Sequence, residues 1–175
     1  INLFKYLFIF ILKMEFLPIR RYVDSDNSCL FSSIAYLNDK ENFNENSSMI
    51  YRLIIVDYIN DNNLSEDILG MPKADYIQNI SEPSTWGGAI ELKLFSEIFK
   101  MQIASLDVES KRIDIFGEIE NYNKRIYLIY NGYHYDPLVM NYSHKSSNDL
   151  DITIFDPEDD CKLTMFRDYL ESVNE

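Results

Sequence analysis

The chain has 175 residues, of which 46% are hydrophobic and 14% aromatic, and its formal net charge is −13. This length and composition exclude a disordered chain and predict a single globular domain with its own core. The acidic balance argues against a nucleic acid partner, because phosphates require a basic surface, whereas it would suit a partner with a basic face. The charge would equally serve to keep the protein in solution.

Cysteines and histidines are few and widely separated in the sequence. The two cysteines, Cys29 and Cys161, do not make a disulfide framework, and without an export signal they fit a reducing, intracellular setting. Neither they nor the two histidines have the spacing of zinc ligands. We therefore expect a cytoplasmic protein that uses no metal and no cofactor.

The N-terminal segment 1–12 is strongly apolar. It is shorter than the roughly 20 residues of a membrane-spanning helix, and no small-residue cleavage site of a signal peptide follows it. We expect residues 1–16 to be an N-terminal extension, either an extra helix on the domain or a stretch that does not belong to the natural protein, and residues 17–175 to be a single domain. A membrane role is not expected. An extended arm over 18–23 would lead into the next loop.

The loop over residues 24–28 consists of Asp, Ser and Asn, which favour turns, and it ends at Cys29. Apolar residues with helical spacing follow to Leu37, so Cys29 should lie in the first turn of a helix. There the free amides and the positive end of the helix dipole would favour a thiolate, and the loop amides could stabilise an oxyanion. A nucleophile would be built this way, although a lone cysteine at a helix start is more often a small buried hydrophobe.

Further helices are predicted over residues 49–59, 64–69 and 73–80. The next helix follows Trp86-Gly87-Gly88, runs to about Met101, and should be the longest. Its two glycines have two explanations. A residue without a side chain lets another backbone approach closely, which would make a narrow channel, or the glycines only permit a tight entry into the helix.

Strand patterns dominate the second half of the chain. The ranges 103–108 and 112–116 should form a hairpin, and further strands are predicted over 125–130, 133–139 and 151–155, before a last helix over 159–173. Helices and strands interleave, and several strands are neighbours in sequence. The prediction is an α/β fold with a central, mixed, partly antiparallel sheet flanked by helices on both sides.

A histidine and a carboxylate lie two residues apart after the turn pair Asn131-Gly132. In a strand, side chains alternate between faces, so His134 and Asp136 should point the same way. Such a pair suits a general base and the group that orients it. Together with Cys29 they form a candidate set for thiol-based catalysis.

Three stretches of the sequence resemble the signature blocks of the OTU (ovarian tumour) deubiquitinases, in the right order and spacing. They read DNSCLF at 26–31, WGGAIE at 86–91 and IYNGYHYDPL at 129–138. The resemblance is nearest to the OTU1 branch, whose members work with the Cdc48/p97 ATPase, and RIDIFGE at 112–118 and ITIF at 152–155 also look like that branch. It extends from Ile19 to Leu163.

The resemblance implies an OTU-type, papain-like cysteine protease fold and hydrolysis of isopeptide bonds after the C-terminal glycine of ubiquitin. Cys29 would attack as a thiolate, and His134 would take its proton and return it to the departing lysine amine. Asp136 and Asp26 compete as the acid that orients the imidazole. Strand geometry favours Asp136, while Asp26 could simply shape the loop and cap the helix.

The resemblance also implies a channel for the ubiquitin tail, which ends in two glycines. Tyr133 and Tyr135 should lie on the strand face opposite His134, with core packing as their default role, and Trp86 could either cover the channel or pack behind it. The family places Glu91 near the site as a structural hydrogen-bonding residue. The candidate substrate-binding residues are Asn27, Ser28, Trp86, Gly87, Gly88 and Tyr133.

The partners that follow from the resemblance are ubiquitin, polyubiquitin chains and a Cdc48/p97-type ATPase. Three other functions stay open: a ubiquitin-binding adaptor with little catalysis, a protease for another ubiquitin-like modifier, and a papain-like protease for ordinary peptides. The sequence contains one further histidine and one further cysteine, which are rival candidates for the catalytic residues. His144 should be a solvated surface residue in a polar loop, and Cys161, near the start of the last helix, should be structural.

Overall fold

The computed structural model describes residues 16–62 and 64–173. The predicted extension over residues 1–16 lies outside this part of the chain except for Phe16. The strands are β1 (Leu17–Arg20), β2 (Gln102–Asp107), β3 (Ile113–Phe116), β4 (Arg125–Tyr130) and β5 (Tyr135–Asn141). The helices are α1 (Cys29–Asn38), α2 (Ser47–Asp61), α3 (Glu66–Leu69), α4 (Lys73–Ser81), α5 (Ala89–Phe99) and α6 (Asp160–Ser172), and a 3-10 turn covers Asn148–Leu150.

The strands form one mixed sheet in the order β1-β5-β4-β2-β3. Strands β2 and β4 run parallel, with Ile103 opposite Ile126, and the other neighbours are antiparallel. Strand β3 reverses the chain beside β2, and the loop after it carries the chain to the other side of β2, where β4 must run parallel to it. The prediction of a mixed α/β fold is confirmed.

The central strands separate two apolar layers. On β4, Ile126 and Leu128 face the larger layer, while Tyr127 and Ile129 face the smaller one, as strand alternation requires. Helices α1, α2, α4 and α5 fill the larger layer with residues that include Phe31, Ile34, Ile55, Ile80 and Phe95. On the other face, α6 and the segment before it supply Phe155, Phe166 and Leu170.

The predicted arm over 18–23 is partly a strand. Strand β1 pairs with β5, with Ile19 opposite Val139, and it forms an edge of the sheet. An edge position explains why Pro18, which has no N–H to donate, is tolerated there. This pairing also determines the path of residues 20–23, which brings Arg20 and the Val23 N–H to the carboxylate of Asp136.

Two predictions about secondary structure are wrong. Residues 151–155 make only isolated bridges, because Ile152 bonds to Met140 on β5 whereas Phe155 bonds to Arg125 on β4, so the segment crosses between strands. The helix predicted as the longest, α5, has 11 residues and ends at Lys100, which is left-handed with φ 53°; α2 has 15. No helix of residues 16–62 or 64–173 combines the length and apolar character of a membrane span.

Candidate active site

The nucleophile candidate lies at the first residue of α1, behind a tightly shaped loop. Asn27 has φ 65°, a left-handed conformation that asparagine tolerates better than most residues. The Ser28 backbone N–H donates to Asp26 Oδ1 at 3.0 Å, which makes Asp26 the residue that holds this turn. The side chain of Ser28 makes no cap bond to α1, so the helix begins at Cys29 without a side-chain cap.

Helix α1 is joined to the start of β5 by two hydrogen bonds at one residue. The backbone N–H of Tyr135 donates to Cys29 Sγ at 3.5 Å, and Ser33 Oγ donates to the Tyr135 carbonyl at 3.0 Å. The residue before Tyr135 is His134. These bonds therefore fix the thiol next to the segment that carries the imidazole.

The imidazole and the carboxylate of the predicted pair are in contact. His134 Nε2 lies 3.1 Å from Asp136 Oδ1. The turn before them is shaped by the Asn131 side chain, which accepts from the N–H of His134 at 2.9 Å, and by Gly132, whose φ is 92°. Strand β5 begins only at Tyr135, so His134 lies at the end of this turn with its side chain directed at Asp136.

Asp136 is fully buried, with 0% of its side chain exposed. Its Oδ1 also accepts from the Val23 N–H at 2.9 Å, and its Oδ2 accepts from Arg20 Nε at 2.8 Å. Asp26, by contrast, is exposed and bonds within its own loop. The carboxylate in contact with His134 is therefore that of Asp136. Sequence reasoning missed Arg20, because only the pairing of β1 with β5 brings it to this carboxylate.

The electrostatics at Cys29 differ from the prediction. Burial raises the pKa of the Cys29 thiol, and the charges of Asp136 and Asp26 raise it further, whereas the backbone amides of Tyr135 and Leu30 lower it. The net direction is upward, so the expectation of a favoured thiolate at Cys29 is wrong: the amides favour the thiolate, but burial and the two carboxylates outweigh them. The thiol form prevails at neutral pH, and a base must remove its proton during reaction.

Two small cavities meet at Cys29. One, of about 200 Å³, is also lined by Ser25 and His134. The other, of about 220 Å³, runs along Gly87 and Gly88 and past the Tyr130 and Tyr135 side chains. The thiol thus has an imidazole side and a glycine side. Lining residues common to both cavities are Asn27, Cys29, Trp86 and Tyr133.

Two aromatic side chains stand at the mouth of these cavities. The indole N–H of Trp86 donates to Asn27 Oδ1 at 2.5 Å, and 57% of Trp86 is exposed. Tyr133 is 73% exposed, so core packing is the wrong explanation for it. It precedes β5 and is therefore free of the strand alternation, whereas Tyr135 stacks on Tyr130 with ring centroids 4.3 Å apart.

The two glycines beside the site differ in their surroundings. A Cβ on Gly87 would lie 3.0 Å from Phe31 Cε2, so this residue is small because α1 packs against it. A Cβ on Gly88 would meet no heavy atom within 4 Å. The Gly88 N–H donates to Glu91 Oε2 at 2.7 Å, and Glu91 Oε1 accepts from the Tyr76 hydroxyl. Glu91 thus holds the start of α5 as a buried hydrogen-bonding residue.

Arg52 was not identified from the sequence, yet it joins both walls of the cleft. It is 1% exposed, and its guanidinium lies 4.0 Å over the ring of Phe31. Burial lowers the pKa of this guanidinium, while the charges of Asp26, Glu91 and Cys29 raise it. Its hydrogen bonds go to the carbonyls of Asn27, Ile80, Pro83 and Thr85 and to the Ser28 hydroxyl.

We expect Arg52→Met to lower the free energy of unfolding by at least about 3 kcal/mol, since it leaves several buried acceptors without a donor. Lys93→Met is the matched control, because Lys93 pairs with Glu97 one turn along α5 at the surface and should change stability by no more than about 0.5 kcal/mol. Urea unfolding of the three proteins measures both changes. Equal stability of the two variants would contradict the role given to Arg52.

The remaining candidates lie elsewhere. His144 is exposed in the loop after β5, as predicted. Cys161 is a free, exposed thiol on α6, so the prediction that it is structural finds no packing to support it. In the described part of the chain, no group of three or more His, Cys, Asp or Glu side chains is arranged to hold a metal ion.

Known proteins resemble this chain over most of its length. The family model described as OTU-like cysteine protease matches residues 24–152. An Arabidopsis thaliana protein named ovarian tumor domain-containing deubiquitinating enzyme 2 is 37% identical over 144 residues, which are 81% of this chain and 68% of that protein. Ubiquitin thioesterase OTU1 of Dictyostelium discoideum is 36% identical over 154 residues, 87% of this chain and 47% of that protein. The chain therefore spans about two thirds of the first relative and less than half of the second.

The fold has a solved counterpart. An OTU domain whose structure was determined in complex with ubiquitin has a TM-score of 0.73 to this chain and 32% sequence identity. The match covers 89% of this chain and 85% of that domain.

Proposed function

Since this chain belongs to the OTU-like cysteine protease family, we propose that it is a deubiquitinase, which hydrolyses the isopeptide bond after the C-terminal glycine of ubiquitin. The observation that carries the proposal is the cleft at Cys29, where a buried thiol, a carboxylate-bound imidazole and an open glycine segment meet. Relatives named for ubiquitin chemistry and the solved complex with ubiquitin support the substrate. The basic surface of ubiquitin also suits a chain of net charge −13.

In the proposed mechanism, His134 is the general base and then the general acid. Because Asp136 accepts from Nε2, the proton of the neutral imidazole is on Nε2, and Nδ1 is the atom that takes the thiol proton. The Cys29 sulfur then attacks the glycine carbonyl, the carbon–nitrogen bond breaks, and His134 returns the proton to the lysine amine. Water deprotonated by His134 hydrolyses the thioester and releases the carboxylate of ubiquitin and the thiol.

The oxyanion of the tetrahedral intermediate would be stabilised by backbone amides around the nucleophile. The Ser28 N–H already donates to Asp26, so Asp26 acts on the shape of this loop rather than on the imidazole. The Cys29 N–H, at the first position of α1, is the donor we assign to the oxyanion. Asn27 and Trp86, joined by their side chains, form the wall that the substrate tail passes.

The glycine segment provides a test of the tail channel. Gly87→Ala should destabilise the protein by about 1–3 kcal/mol, because its methyl group would press on the Phe31 ring. Gly88→Ala should leave stability within about 0.5 kcal/mol, since φ there is −150° and the space is open, yet lower kcat/KM for ubiquitin substrates about tenfold or more. Urea unfolding and hydrolysis of a ubiquitin C-terminal fluorogenic amide measure these effects. Full activity of Gly88→Ala would contradict a channel at this residue.

The direct test of the function is incubation with isopeptide-linked di-ubiquitin. Intact-mass analysis should find two unmodified ubiquitins, one of which carries the new C-terminal carboxylate. If di-ubiquitin binds but stays uncut, the chain is an adaptor. If it neither binds nor is cut, the same assay with other ubiquitin-like modifiers decides whether one of them is the substrate.

We also propose a Cdc48/p97-type ATPase as a partner and the cytoplasm as the location. The support for the partner is the resemblance to the OTU1 branch noted above, together with the similarity to proteins named ubiquitin thioesterase OTU1. Co-purification of the tagged chain with the ATPase, under conditions in which ubiquitin conjugates are removed, tests the partner. Its absence from the purified material would count against this part of the proposal.

A further inference from the structure

Arg20 lies against the acid of the site from a strand that sequence reasoning did not connect to it. It ends β1, opposite Leu138 on β5, and its Nε donates to Asp136 Oδ2 at 2.8 Å. The other carboxylate oxygen, Oδ1, faces His134 and the Val23 N–H. Each oxygen of this buried carboxylate therefore has its own partners, which fixes the carboxylate plane.

We propose that Arg20 is a positioning residue for catalysis, whose guanidinium holds the Asp136 carboxylate on the His134 imidazole and offsets its charge beside Cys29. The inference rests on the proposed function, in which Asp136 orients His134. A carboxylate bonded on one oxygen by an arginine cannot turn away from the imidazole without breaking a charge-assisted hydrogen bond. Arg20 itself is held by the Tyr22 ring, 5.1 Å from its guanidinium carbon.

The offset of charge matters because the site is rich in negative groups. The Asp136 charge disfavours the Cys29 thiolate, and a cation bonded to Asp136 reduces that effect. Loss of the Arg20 charge should therefore make the thiol harder to ionise. Other titratable or charged groups that act on Asp136, Arg20 or Cys29 are Asp26 on the loop, Arg52 on α2, Tyr130 and Tyr135 on the strands, Tyr22 after β1 and Tyr169 on α6. Glu91 on α5 and Asp107 at the end of β2 act in turn on Tyr135.

The neighbouring residue supplies a matched control. Arg21 also makes an ion pair with a fully buried carboxylate, that of Asp151, at 2.6 Å. The exposed fractions of the two arginine side chains are nearly equal, 14% for Arg20 and 13% for Arg21. Asp151 bonds to Tyr36 and Asn141 rather than to the imidazole, so the Arg21 pair is of the same kind but serves another part of the fold.

The experiment compares Arg20→Gln, Arg20→Lys and Arg21→Gln in a Cys161→Ala background. Iodoacetamide alkylation of Cys29 is followed as a function of pH, which needs no ubiquitin, and kcat/KM is measured on a ubiquitin fluorogenic amide. We expect Arg20→Gln to move the alkylation midpoint up by about half a pH unit and to lower kcat/KM about tenfold to hundredfold. Arg20→Lys, which keeps the charge, should return the midpoint close to that of the parent.

In thermal unfolding, Arg21→Gln should lose about as much stability as Arg20→Gln. The pH midpoint of Cys29 alkylation should nevertheless stay at that of the parent protein. The proposal is overturned if Arg20→Gln and Arg21→Gln share one midpoint, or if Arg20→Lys shifts as far as Arg20→Gln. If the parent protein hydrolyses no ubiquitin substrate, the proposed function fails, but the alkylation midpoints still decide the role of Arg20 at the thiol.

Discussion

Cys29→Ala is expected to lower hydrolysis of a ubiquitin C-terminal amide by at least about 10⁴-fold, to the background of the assay. No other group in the cleft can form the thioester, so the residual rate would come from binding and the oxyanion donors alone. The thiol is small and buried, with one long hydrogen bond from Tyr135, so the variant should keep its fold. Steady-state kinetics and a thermal unfolding curve on the same preparations measure both.

Cys161→Ala is the control for this experiment. Cys161 is the more exposed thiol of the two, and it lies on α6 and lines neither of the two cleft cavities. Its loss should change kcat/KM by less than about twofold. Activity that survives in Cys29→Ala and vanishes in Cys161→Ala would overturn the assignment of the nucleophile.

Asp136→Asn is expected to reduce kcat by about 10²- to 10⁴-fold, because donors face both carboxylate oxygens: an amide that keeps its oxygen toward Arg20 turns its NH2 group toward the imidazole and no longer holds the Nε2–H tautomer. Asp26→Asn should cost no more than about tenfold, since an asparagine Oδ1 can still accept from the Ser28 N–H and shape the loop. A comparison of the two variants decides which of the two acids orients the imidazole, a choice that the sequence left open. Their kinetics should be measured with the same ubiquitin amide.

Asp136→Asn also loses part of its ion pair with Arg20, so its stability needs to be known. Asp151→Asn, at the other buried arginine–carboxylate pair, is the control for that loss. It should unfold as easily as Asp136→Asn but keep most of its kcat. If Asp26→Asn were the more damaging of the two acid variants, Asp26 rather than Asp136 would be the orienting acid.

The sequence was most informative where the structure is local. The turn residues before Cys29 predict where α1 begins, because their side chains bond within a few residues, as Asp26 does with Ser28. The predicted proximity of His134 and Asp136 is confirmed by their contact, although His134 lies in the turn before β5 and not in the strand that was expected to orient it. The mixed sheet and its flanking helices also follow from the sequence, because the spacing of apolar residues identifies each helix or strand separately.

The sequence was least informative where partners are far apart along the chain. Arg20 is 116 positions from Asp136, and Arg52 is 28 or more from most of the carbonyls it bonds. Neither contact can be inferred without the order of the strands and the packing of α2. The bridges of residues 152 and 155 to different strands are hidden for the same reason.

The charge state of Cys29 was mispredicted because two opposing effects act on it. A helix start favours the thiolate, but burial and two nearby carboxylates outweigh the amides of Tyr135 and Leu30. Burial and the location of Asp136 are properties of the folded chain. In this account the nucleophile is made reactive by the imidazole of His134 during the reaction, rather than by its resting environment.

The most direct measurement is the reaction of the protein with ubiquitin that carries a thiol-reactive group at its C-terminus, with the modified residue located by peptide mass spectrometry. We expect a single covalent adduct on Cys29, formed much more slowly in His134→Ala and absent from Cys29→Ala. An adduct on Cys161, the exposed thiol, or no adduct from a correctly folded protein would contradict a ubiquitin-directed cysteine hydrolase centred on Cys29.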